Sequence, residues 1–345
     1  MFSTEREILD TANALAKSIA YFDGVKEQVS AFFANNPQRK FVIMGCGSSH
    51  MLAKGTAALF RSFPNTSACA IPAGDYIVDP DYWRETVRDS IVISLSRSGR
   101  TSEMVLAIRH IKEQYKCPVI SVCMADGNDI TPMSDLDLIL DWCYDESVCQ
   151  TRTVTNLYAV SLLLAAAYGK DTALEQAVRA AAKSNGVFQT ANRGALEKIA
   201  ALDWDSIVVL TDGPVCGIAE EGALAFTEIA MLPGRYFHLL DYRHGPVVIS
   251  GKKTLTLILL RPGEAVFQGP LVRDVIARGG PVVTLSDQSG NPYQAQAHIQ
   301  IEGIGNFAAW GIPFIYVAQM LALLKALDLG GNPDAPAGLD PYIKL

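Results

Sequence analysis

At 345 residues the chain is too long for one small core and suits two domains of about 150 residues each. Apolar residues make up 49% of it, so burial is not limiting, while a formal net charge of −7 without a basic block argues against nucleic acid or an anionic membrane surface as partner. Seven cysteines, odd in number and with no CxxC pair, fit a reducing cytoplasm better than a disulfide framework.

From the N-terminus, Met1 to Phe22 reads as an amphipathic helix opened by Thr4 with Glu7 as its capping partner, and its acids distinguish it from a secretory leader. The apolar run Phe41-Val42-Ile43-Met44 is the first strand. Gly45-Cys46-Gly47-Ser48-Ser49-His50 follows, ahead of a helical pattern through Ala53, Ala57 and Phe60. A dinucleotide fingerprint is the competing reading of this loop. Its third glycine is replaced by His50, and no acid lies between Met51 and Gly74, where the ribose-binding carboxylate belongs.

A second strand, Ser90 to Leu95, leads into Ser96-Arg97-Ser98-Gly99-Arg100-Thr101-Ser102-Glu103 and then the helical pattern from Met104. Hydroxyls, backbone N–H groups around Gly99 and the positive end of the next helix direct donors into one small volume, which suits a phosphate. Arg97 and Arg100 add charge. An ordinary strand-to-helix turn has similar composition. Pro118 to Cys123 and Leu136 to Leu140 are further strands. Gln150-Thr151-Arg152-Thr153 is a third run of donors, readable either as a ligand contact or as a helix start capped by Thr151 or Thr153. Thr153 to Asn192 is a long helical connection.

The second half repeats the alternation of strands and helices: Ile207 to Leu210, Thr254 to Leu260, Pro281 to Leu285 and His298 to Ile301. Gly47 and Gly213 are 166 residues apart, Gly99 and Gly263 are 164 apart, and Pro118 and Pro281 are 163 apart. A slowly drifting offset of this kind indicates an internal duplication. The duplication is chemically lopsided, because Leu260-Arg261-Pro262-Gly263 lacks the serines of its counterpart and gains a proline without a donor. Only the first half is equipped for phosphate. Alternation throughout predicts an α/β chain of two tandem doubly wound parallel-sheet domains with helices on both faces. The expected division is 1–30 as an N-terminal helical segment, 31–190 as the first domain with its connecting helix, and 191–345 as the second with a C-terminal tail.

Glu228 stands on an otherwise apolar helical pattern, Ala223 to Met231, where a carboxylate is either at a solvated edge or buried for a purpose. His244 lies in Arg243-His244-Gly245-Pro246, a turn before an expected strand Val247-Val248-Ile249. His110 on a charged helix face, His238 beside Phe237 in an expected core position and His298 at a strand start are weaker candidates. Phe307 to Leu324 carries Gly311, Pro313 and Gln319 and reads as a buried helix rather than a membrane span. The sequence contains no HExxH or GxSxG, so neither a metal nor that hydrolase type is indicated.

These motifs in this order resemble the sugar isomerase (SIS) domain family, in the two-domain arrangement of the isomerase half of glucosamine-6-phosphate synthase. The resemblance rests on Gly45 to Ser49, Ser96 to Thr101, Glu221-Gly222-Ala223-Leu224 with Glu228, His244-Gly245-Pro246, and the tail Pro333 to Leu339. It implies that Ser48, Ser49, Ser96, Arg97, Ser98 and Thr101 bind a sugar phosphate, with Thr151 at the sugar. Glu228 would shuttle a proton, and His244 would assist ring opening from the neighbouring subunit of a homodimer. A cytoplasmic enzyme without cofactor or metal is implied, isomerising or deaminating a phosphorylated amino sugar. A fructosamine 6-phosphate deglycase is the alternative chemistry, and a non-catalytic sugar-phosphate sensor the alternative class. The chain departs from the family at Ala225 and Arg97, where lysine and glutamine are usual. The lysine of the family's closing tail would fall near Pro341, with Lys344 as substitute.

Overall fold

The computed structural model describes residues 1–263 and 266–340. A long helix α1 (Ser3–Asn35) precedes β1 (Lys40–Gly45), α2 (Ser48–Phe60), β2 (Ser67–Pro72), α3 (Ala73–Val78), α4 (Arg84–Val87), β3 (Ile91–Ser96), α5 (Ser102–Tyr115), β4 (Val119–Cys123) and β5 (Leu136–Ile139). Helices α6 (Arg152–Gly169) and α7 (Thr172–Ala200) lead to β6 (Ser206–Leu210), α8 (Cys216–Ile229), β7 (Gly234–Phe237), β8 (Thr254–Leu259), α9 (Gln268–Ala277), β9 (Val282–Ser286), β10 (Ala297–Gln300) and α10 (Gly311–Asp328).

The strands form two five-stranded parallel sheets, ordered β2-β1-β3-β4-β5 and β10-β9-β8-β6-β7. Read from β7, the second sheet repeats the order of the first, and this is the expected duplication in topological form. The glycines paired by offset share a left-handed backbone: φ is +52° at Gly47 and +73° at Gly213, +60° at Gly99 and +77° at Gly263. Central strands β3, β4, β8 and β9 are buried along their whole length, so helices cover both faces, and their continuous Val/Ile/Leu runs follow from that.

Glycine brings the halves together. A Cβ on Gly217 of α8 would stand 2.1 Å from the Met51 carbonyl oxygen and 2.5 Å from the Gly55 nitrogen, so α2 and α8 touch backbone to backbone there. Lys54 and Glu220 close the same crossing with an ion pair at 2.8 Å. Helix α10 is long and apolar enough to cross a membrane, but it is buried inside the protein, packed on α7 and α8, as expected for Phe307 to Leu324.

Several local expectations are corrected. The first helix runs to Asn35, and its start is not a capping box: Asp334 accepts from Ser3 N (2.9 Å), Thr4 N (2.8 Å) and Thr4 Oγ1 (2.8 Å). Glu7 is buried and accepts instead from the backbone of Glu146 (2.7 Å) and Ser147 (3.3 Å) and from the Ser147 hydroxyl. A distant carboxylate has taken the donors the local one was expected to hold. The connection from Thr153 is two helices, broken where Lys170 adopts φ +52° and Asp171 caps α7 through Leu174 N. Val247 to Ile249 belongs to a 3-10 turn, Pro246–Ile249, because Pro246 starts a helical turn and Val248 N and Ser250 N bond locally to Gly245 and Val247. Strands β2 and β7 were not anticipated. His238 is exposed rather than in the core, with Nδ1 2.9 Å from Asp212 Oδ1.

Candidate active site

In a doubly wound sheet the crevice opens where the chain leaves one strand for one side and its neighbour for the other, here between β1 and β3. A cavity of about 300 Å³ lies at that point. The loop after β1 contributes Ser48 and Ser49, the loop after β3 contributes Ser96, Arg97, Ser98 and Thr101, and Glu228 reaches it from α8 of the second half. Seven of the sequence-nominated residues thus share one space.

Each loop serves the cavity for a local reason. Ser48 and Ser49 open α2 behind Gly47, and Thr101 sits at the N-cap of α5, yet neither helix start is capped by a side chain of its own. At α2 the turn closes on itself, Ser49 N donating to the Cys46 carbonyl (3.1 Å) and His50 N to the Gly47 carbonyl (2.9 Å). Ser96 Oγ accepts from Gly99 N (2.9 Å) and Ser98 Oγ from Arg100 N (3.1 Å), so both hydroxyl protons remain available to a ligand. The turn is held by Gly99, whose Cβ would meet the Asn128 side chain at 2.5 Å, and by Asn128 itself, which accepts from Ile130 N and Thr131 N at 3.0 Å.

Arg97 is buried and plays a bracing part besides lining the cavity. Its Nη1 donates to the carbonyls of Ser147 (2.9 Å) and Val148 (3.1 Å), and its guanidinium lies 5.7 Å from the centre of the Tyr144 ring. Arg100 donates to the Gly127 carbonyl from the surface. The braced segment delivers Val148, Cys149 and Gln150 to the cavity. Thr151 is the next residue: its hydroxyl is buried without a partner among the described residues, and the helix start is capped by Asp145, whose Oδ2 accepts from Thr151 N (2.7 Å) and Thr153 N (2.9 Å). Burial, with the charge of Glu7, pushes the Asp145 carboxyl up to about 6.

Burial also dominates the electrostatics of Glu228. Its carboxyl is pushed up to about 7, against a smaller opposing pull from Arg97. One turn-pair earlier on α8, Glu221 is 1% exposed and both its oxygens lack a hydrogen-bond partner among the described residues. Seven residues make about two helical turns, so the two carboxyls share a face. Burial and the neighbouring Glu228 charge raise Glu221 well above the carboxylate range. Burial likewise raises the thiols of Cys149 and Cys46, the latter to about 12, so neither is a ready nucleophile.

The tail Gly338-Leu339-Asp340 lines the opposite wall. It is anchored by the Asp334 bonds to α1 and by Val148 N donating to the Asp334 carbonyl at 3.3 Å. Lys344 lies outside the described residues. His244 is exposed in its turn and does not line this cavity. Glu103, Cys149 and Asp340 line it without having been proposed as site residues from sequence, while Gln150 comes from the third run of donors. The seven-residue spacing of Glu221 and Glu228 was the readable sign of a paired site.

Fold and site together define an α/β protein of two tandem doubly wound parallel-sheet domains, with the loop hydroxyls of the cavity gathered in the first half. Residues 36–167 match the SIS domain model. The chain is similar to the D-galactosamine-6-phosphate deaminase of Escherichia coli, 23% identical over 357 residues that cover 97% of this chain and 91% of the relative. Among solved structures, tagatose-6-phosphate ketose/aldose isomerase from Escherichia coli superimposes with a TM-score of 0.84 at 20% identity, covering 99% of this chain and 97% of that one. Glucosamine-6-phosphate deaminase from Thermotoga maritima does so with 0.80 at 22%, covering 99% and 100%.

Proposed function

We propose that the protein is an isomerase or deaminase of a phosphorylated amino sugar, acting on the open-chain form. The observation that carries this reading is the Glu228 carboxyl, pushed up to about 7 by burial, in the same cavity as the five hydroxyls of Ser48, Ser49, Ser96, Ser98 and Thr101. The relatives named above are deaminases and a ketose/aldose isomerase, and they span nearly the whole chain.

Ser49, Ser96, Ser98 and Thr101 hold the phosphate through their hydroxyls. Ser48 and Gln150 meet the sugar chain, with Thr151 behind them. Glu228 removes the proton from C2, exchanges it with water, and delivers a proton to C1 on the same face; one carboxyl near its neutral point both accepts and gives a proton at modest cost. In a 2-amino sugar, this converts the C2–N bond to an imine that water hydrolyses, releasing ammonia and leaving the ketose phosphate. His244 assists ring opening from a second copy of the chain, in a homodimer. Among the described residues no lysine lines the cavity, and Lys344, the candidate for an imine to the sugar, lies outside them.

The test is incubation with D-galactosamine, D-glucosamine and fructosamine 6-phosphates, following ammonia, free amine and ketose. Ammonia with ketose 6-phosphate supports the deaminase. Release of an intact amino acid from a fructosamine 6-phosphate instead identifies a deglycase. Micromolar binding without turnover of any of them identifies a sensor.

A further inference from the structure

Glu221 is a buried carboxyl beside the site that the proposed chemistry does not use, and neither of its oxygens has a hydrogen-bond partner among the described residues. Gly222, next to it, packs so tightly on α10 that a Cβ would meet Ala318 at 3.0 Å and Phe314 at 3.2 Å, sealing that side of α8. Helix α8 packs on α2, and there the Ser48 side chain lies beside the Glu221 carboxyl without closing a bond of ordinary length and angle. No cation pairs with it among the described residues: Lys54, the nearest lysine in sequence on α2, is bonded to Glu220. A buried carboxylate with neither a counter-ion nor a donor is far costlier than a neutral carboxylic acid. Burial and the charge of Glu228 act in the same direction.

A neutral carboxyl has what the ionised one lacks, a proton to give. Ser48 has one hydroxyl proton and can donate it in only one direction. If Glu221 were ionised, it would claim that proton and turn Ser48 away from the ligand. We infer that Glu221 is a positioning residue: as a neutral acid it donates to Ser48 Oγ, and so directs the Ser48 proton into the cavity as a donor to the sugar phosphate. Glu221 then touches no substrate and acts only through Ser48. The inference rests on the proposed function for the identity of the ligand, but the protonation of Glu221 does not depend on it.

Two measurements separate these levels. Infrared difference spectra at pH 7 are recorded for the whole protein and for Glu221→Gln and Glu228→Gln. A carboxylic-acid C=O band that disappears in Glu221→Gln and persists in Glu228→Gln is expected; a spectrum unchanged by Glu221→Gln overturns the inference whatever the activity. Binding of D-galactosamine 6-phosphate is then measured by calorimetry on a Glu228→Gln background, which prevents turnover. A second change, Glu221→Gln, whose amide N–H can replace the acid as donor, is expected to hold affinity within about threefold, while Glu221→Met weakens it tenfold or more. Equal affinities for Gln and Met overturn the positioning role. Absence of any binding to the background protein, with the infrared band present, counts against the proposed function and leaves the protonation of Glu221 standing.

Discussion

A carboxyl placed half in water and half in protein is cheap to protonate and cheap to ionise near pH 7, and Glu228 is such a group. As the base it must be ionised in the free enzyme, so kcat/KM should rise about tenfold per pH unit up to pH 7 and level off above it. Replacing it by glutamine should lower kcat by roughly 10²–10⁴-fold. Stability should move the other way. The folded protein holds the Glu228 proton more tightly than the unfolded chain, so the stabilisation is fully present below the ordinary carboxylate pKa and is lost as pH rises through about 7. Glu228→Gln is therefore expected to be more stable than wild type at pH 8, by on the order of 1 kcal/mol, with the difference closing toward pH 5. Thermal melts at the two pH values check this; a variant less stable at pH 8 would refute the burial of that charge.

At the scale of elements, the site depends on where α2 is held. Its first residues carry Ser48 and Ser49, and its middle is pressed against α8 at Gly55 and Gly217. Gly217→Ala puts a methyl group 2.1 Å from a backbone oxygen, so the helices must part, at a cost of about 1–3 kcal/mol and with weaker sugar-phosphate binding. Gly24→Ala, in an exposed stretch of α1 with nothing within 4 Å, should stabilise by about 0.5–1 kcal/mol and leave binding unchanged. Denaturant midpoints and ligand titrations on the two variants distinguish crowding from a general effect of removing glycine. The loops themselves were legible from sequence, because Ser and Gly between a β-run and a helical run are a local signal. Strands β2 and β7 were not, since Ser67–Pro72 ends in proline with an outward-leaning pattern and Gly234–Phe237 is only four residues long. Their pairing with β1 and β6 is decided by sheet geometry.

Across the whole molecule, contacts far apart in sequence complete the site. The start of α1, the segment after Glu146 and the tail at Asp334 meet in one joint, which brings Gly338 to Asp340 over the cavity. No local pattern reveals a capping carboxylate 330 residues away. Nor does sequence spacing tell that Thr151 is sealed beneath the cavity while Gln150 faces it, because a helix start turns each successive side chain by about 100°. His244 stands exposed, outside the cavity. In a homodimer that exchanges this histidine, mixing inactive Glu228→Gln with inactive His244→Ala should restore activity, since a mixed dimer holds one site with both residues intact. Activity staying at the level of the separate variants would show that the two residues do not act across an interface.

The most direct measurement is NMR of D-galactosamine 6-phosphate and D-glucosamine 6-phosphate incubated in D₂O with the wild-type protein and with Glu228→Gln. Proton transfer by Glu228 predicts loss of the C2 proton and appearance of deuterium at C1 of the ketose phosphate with wild type, and neither with the variant. No exchange into either sugar with wild type, or equal exchange with the variant, would contradict it.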